Sequence, residues 1–148
     1  MRKSLFRFVD VFELISCYLL CFGFNILFDF VKTLRIDSHL LKTFLKQFSD
    51  YQSLIVFLFT FTAVIFHYQM LHKKKVEVYC RILVGDTARG ITVSYILECL
   101  LILGVAFLLS IIMNICININ LKSNIYLTCI FVVYILISAG KVCKFENF

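Results

Sequence analysis

The sequence predicts an all-α integral membrane protein: four transmembrane helices, a cytoplasmic surface helix between spans two and three, and an amphipathic helix on the outer surface between spans one and two. Three observations carry this. Of the 148 residues, 61% are hydrophobic and 16% charged, a balance that a soluble domain of this length would not keep in solution. Four apolar runs come close to or exceed the roughly 20 residues that a helix rising 1.5 Å per residue needs to cross a ~30 Å hydrocarbon core. Charged or amide-rich segments separate the runs. Backbone groups must be satisfied inside lipid, and runs of this length do so as helices rather than as barrel strands. Little chain is left over, so the whole reads as a single transmembrane domain.

The first span is expected at residues 11–31. The residues before it, Met1-Arg2-Lys3-Ser4, resemble the start of a signal peptide, but Asp10 and Glu13 interrupt the apolar stretch behind them and no small-x-small cleavage site precedes Val31. An uncleaved first span is the expectation. In the outer segment 32–53, Leu40, Leu41, Phe44, Leu45 and Phe48 share one helical face and Lys42, Thr43, Lys46 and Gln47 the other, which predicts a helix lying flat on the membrane. The second span is expected at 54–71. Residues 72–85 are charged yet place Val76, Tyr79, Ile82 and Leu83 along one face, then stop at Gly85-Asp86-Thr87, where Gly ends one helix and Asp or Thr caps the next. This segment is expected to lie along the cytoplasmic surface and turn sharply into a third span at 91–117. A fourth span is expected at 125–140.

Charge sets the orientation. With the N-terminus inside, Arg2, Lys3, Arg7, Lys73, Lys74, Lys75, Arg81, Arg89, Lys141 and Lys144 face the cytoplasm, leaving Lys32, Arg35, Lys42, Lys46 and Lys122 outside. The positive-inside bias therefore places both termini in the cytoplasm. The net charge of +6 is explained by juxtamembrane attraction to anionic lipid, because the basic residues flank spans and lack a separate module that would present them to nucleic acid.

Polar residues inside apolar runs are the candidate functional groups. Glu98 lies about two turns into the third span, where a carboxylate must be paired, protonated or drawn to the interface. Two readings stand open: it reaches the cytoplasmic interface, or it contacts Arg81 or Arg89. Asn25 and Asp29, near the outer end of span one, line a path, snorkel to the interface or bond a neighbouring helix. The apolar face of 72–84 and the Lys73–Lys75 cluster likewise serve either a soluble partner or the lipid surface alone.

Several suggestive patterns carry no chemistry. Residues 85–92 imitate a phosphate loop, but Ile91 stands where its lysine is required. Seven cysteines contain no Cys-x-x-Cys and are expected to act as small apolar residues. His67 and His72 lack ligand-spaced companions and are expected to be interfacial. No Ser-His-Asp set or catalytic carboxylate pair can be assembled, so a non-catalytic subunit without a cofactor is expected.

The run Glu77-Val78-x-x-Arg81-x-Leu83-Val84-Gly85-x-Thr87, followed by Ile91 and Glu98, resembles the FtsX-like permease family of ABC transporter subunits. Members carry a similar run after their second span: basic residues, Glu-Ile, a basic residue four after the Glu, a helix-ending Gly and a Glu in the next span. Glu77, Arg81, Gly85 and Glu98 fit those places, and the resemblance covers residues 52–140. It implies a homodimeric or paired permease in a bacterial cytoplasmic membrane, docked on a separate ABC ATPase. The chain would transmit ATP-driven motion for peptide or lipid export, or for control of an outer-surface partner. Lys73, Lys74, Lys75, Val76, Glu77, Tyr79, Arg81, Ile82, Leu83 and Gly85 would form the ATPase-coupling element. The family usually inserts a sizeable outer domain where this chain has only 32–53. That departure leaves two alternatives open: a standalone immunity or regulatory protein with no ATPase, and a permease that has lost its outer domain.

Overall fold

The computed structural model describes residues 6–35 and 37–144; Arg2 and Lys3, which enter the charge argument, lie outside them. Five helices follow one another: α1 (Phe8–Thr33), α2 (His39–Asp50), α3 (Gln52–Leu83), α4 (Ala88–Ile117) and α5 (Lys122–Lys144). No strand occurs among the described residues. α1, α3, α4 and α5 are long and apolar enough to cross a membrane, which matches the four expected runs and makes this a multi-pass helical membrane protein.

One element differs from the expectation. α3 continues unbroken for 32 residues, so 72–83 extends the second span instead of forming a separate surface helix. At 1.5 Å per residue α3 is about 48 Å long, well beyond the ~30 Å of a hydrocarbon core. The reason is local: within 72–83 the sequence has neither Gly nor Pro, and its Lys, Glu and Arg residues are good helix formers.

The helix ends where the expected signals stand. The Asp86 N–H bonds the Arg81 carbonyl at 3.1 Å and the Gly85 N–H bonds that of Ile82 at 3.1 Å, a Schellman closure with Gly85 at φ +113°. Thr87 then caps α4, its side-chain oxygen accepting the Gly90 N–H at 3.2 Å. α4 ends by the same closure, with Ile119 bonding Asn114, Asn118 bonding Ile115, and Asn118 itself left-handed at φ 59°.

The four long helices run up and down. α1 packs against α3 and α4, and α4 against α5, while α3 and α5 meet only sparsely. Inward positions recur at helical spacing, as in Ile91, Tyr95, Cys99, Ile102, Ala106 and Ser110 of α4 and Leu127, Phe131, Ile135 and Ala139 of α5. Edge-to-face contacts of Phe131 with Tyr18 at 4.8 Å and with Phe22 at 6.2 Å join α5 to α1. α2 buries none of its residues; it is held to α1 by Phe48 stacked on Phe28 at 4.9 Å.

Candidate functional site

The bundle has two chemically distinct ends. At the basic end, an ion-pair ladder joins α1 to the extension of α3. Lys74 Nζ lies 3.0 Å from Asp10 Oδ2 and 3.3 Å from Glu77 Oε2, and Arg81 Nη2 lies 3.1 Å from Glu77 Oε1. Lys74 is buried, 7% exposed, because it falls on the inward stripe of α3 with Leu71 and Val78. Its ammonium is tolerable there because both carboxylates neutralise it. Val78, one turn on, is in the core.

The same end fastens the chain before α1. The Phe6 N–H donates to Glu98 Oε2 at 3.1 Å, and the Phe6 ring packs on Tyr95 with centroids 5.9 Å apart. Glu98 thus holds the backbone entering α1, a contact that neither sequence reading of this residue included.

The expected coupling residues divide. Val76 (70% exposed), Tyr79, Leu83 (69%) and Val84 form an outward apolar tip beside the Gly85 turn. Ile82 is half-buried and packs against the core. Lys73 is exposed and Lys75 half-buried, whereas Lys74, Glu77 and Arg81 are engaged within the ladder.

Deeper in the bundle, His67 is fully buried, which corrects its expected interfacial place. Tyr18 Oη lies 3.4 Å from its Nδ1 and Tyr95 Oη is bonded to its Nε2. The signal was in the spacing, since Ala63, His67, Met70, Leu71, Lys74 and Val78 form one inward stripe along α3. No group of three or more His, Cys, Asp or Glu suited to a metal occurs among the described residues.

At the opposite end, amides and a hydroxyl connect all four long helices. Asn25 donates to Asn124 Oδ1 at 2.9 Å, Asn124 donates to Ser110 Oγ at 2.7 Å, and Gln52 reaches Asn25 at 3.5 Å and Asp29 at 3.4 Å. Asn25 and Asp29 therefore both bond neighbouring helices, and both line a crevice of about 630 Å³ between α3 and α5. Both side-chain amide atoms of buried Asn114 find no partner among the described residues.

Fold and geometry together define a four-span helical membrane protein with a braced apolar tip at one end and an amide-lined crevice at the other. No family model matches the sequence, and no curated protein or solved structure matches it either.

Proposed function

We propose that this chain is a permease-type subunit of the FtsX-like kind, whose basic end faces the cytoplasm and receives force from a separate ATPase. The observation that carries the reading is the exposed apolar tip, Val76, Tyr79, Leu83 and Val84, at the end of a helix continuous with a membrane span. The sequence pattern Glu77, Arg81, Gly85 and Glu98 points the same way. An apolar helical ridge flanked by lysines suits a groove on a soluble partner: the ridge supplies anchors and Lys73 and Lys75 steer approach. Because α3 is unbroken, a push on the tip is delivered along the span. The Asp10–Lys74–Glu77–Arg81 ladder ties that push to α1, and Gly85 with the Thr87 cap passes it to α4. Lys74, Glu77 and Arg81 act in this account as the brace rather than as the contact.

Affinity purification in mild detergent should recover an ATPase that bears its own phosphate loop. Tyr79→Ala with Leu83→Ala should release it without unfolding the subunit, since both side chains face outward. Recovery of no ATPase under conditions that hold comparable pairs refutes the reading.

A further inference from the structure

The crevice between α3 and α5 has a shape and a charge that specify an occupant. Its α3 wall, Val56, Phe57, Phe61 and Val64, is mostly apolar over about 12 Å of helix, the Thr60 hydroxyl between them being turned back onto the Val56 carbonyl; Leu127 and Ile130 face it from α5, with Tyr126 and Ser123 nearer the mouth. It closes at depth where Tyr134 Oη donates to the Val64 carbonyl at 3.3 Å. Its volume of about 630 Å³ is that of an ordinary ligand pocket. Above the Tyr134 contact α3 and α5 meet only sparsely, which leaves a groove between two spans wide enough for an acyl chain.

Lys32 stands at the mouth and also lines a second cavity, of about 260 Å³, with Lys42 and Lys46 of α2. None of the three lysines forms an ion pair among the described residues. Two carboxylates are near, Asp29, which accepts from Gln52, and Asp50 of the second cavity; the three lysines outnumber them. α2 exposes Leu40, Leu41 and Phe44 and carries its lysines on the other face, which seats such a helix at headgroup depth. The mostly apolar slot and the cationic cup thus adjoin at Lys32, which lines both.

We propose that the two cavities form one binding site for an anionic phospholipid, with an acyl chain between α3 and α5 and the phosphate among Lys32, Lys42 and Lys46. The site does not depend on the permease reading and holds with or without an ATPase.

Native mass spectrometry of the full chain, released from micelles holding equal phosphatidylglycerol and phosphatidylcholine of identical chains, tests this. Phosphatidylglycerol should be retained about tenfold over phosphatidylcholine. The triple variant Lys32→Gln, Lys42→Gln, Lys46→Gln should erase the preference, and the corresponding triple arginine variant should keep it. Ile130→Trp and, separately, Phe61→Trp should fill the slot and reduce retention of both lipids, with helicity by circular dichroism unchanged. Equal retention of the two lipids by the unmodified chain overturns the proposal, as does phosphatidylglycerol retention that survives both slot-filling variants. Inorganic phosphate alone should not displace the lipid; displacement at millimolar phosphate would mean a chain-independent anion site and would also overturn it.

Discussion

Removing the Lys74 ammonium tests whether the basic end is braced. The Lys74–Asp10 pair is 3.0 Å long, with side chains 9% and 22% exposed. At that distance and an effective dielectric constant of 20, the gross attraction is about 5 kcal/mol. Desolvation of the buried ammonium offsets more than half, and Asp10 keeps the Arg7 N–H at 3.1 Å when the lysine is gone. Lys74→Met should therefore cost about 2–3 kcal/mol, below the range for a fully buried pair, and Asp10→Asn about 2 kcal/mol. The double variant should cost about 2 kcal/mol less than the sum of the two. Denaturation by sodium dodecyl sulfate titration, followed by far-ultraviolet circular dichroism, reads all three. Single losses that add to within about 0.5 kcal/mol would show that the ammonium and carboxylate are not coupled, and the brace would fall with them.

Three further outcomes rest on single residues. Gly85→Ala should destabilise by about 1–2 kcal/mol in the same titration, because a β-carbon strains a residue at φ +113°. Asn124→Ala should cost about 1 kcal/mol, the loss of bonds to Asn25 and Ser110 tempered by the modest worth of interhelical hydrogen bonds in lipid. Asn114→Leu should stabilise by about 1 kcal/mol, because it replaces two buried polar atoms, unpartnered among the described residues, with an apolar side chain of similar size; a loss of similar size instead would mean that the amide has a partner in the membrane.

The spans were legible because length and apolarity are sufficient to define a helix in lipid, and the turn at Gly85-Asp86-Thr87 because its residues carry the closure and cap themselves. The continuity of α3 was legible too, in the absence of any Gly or Pro from 52 to 84, but the change from apolar to charged residues at His72 suggested a break that nothing in the backbone enforces. His67 could have been placed inward from the stripe it shares with Ala63, Leu71, Lys74 and Val78. Other features need tertiary contact. The sequence does not say that Asp10 lies beside Lys74, 64 positions on, or that Asn25 meets Asn124 across the bundle. Nor does local spacing tell that Glu98 accepts from Phe6, since the partner is a backbone N–H that any residue could supply.

The most direct measurement for the coupling account is site-specific photocrosslinking in cells, with a photoreactive residue placed in turn at Val76, Tyr79 and Leu83, and at Leu101 as a control exposed at mid-span. The account predicts that the three tip positions capture an ATPase bearing its own phosphate loop and that Leu101 does not. Tip positions that yield only lipid adducts, or capture no more ATPase than Leu101, would contradict it.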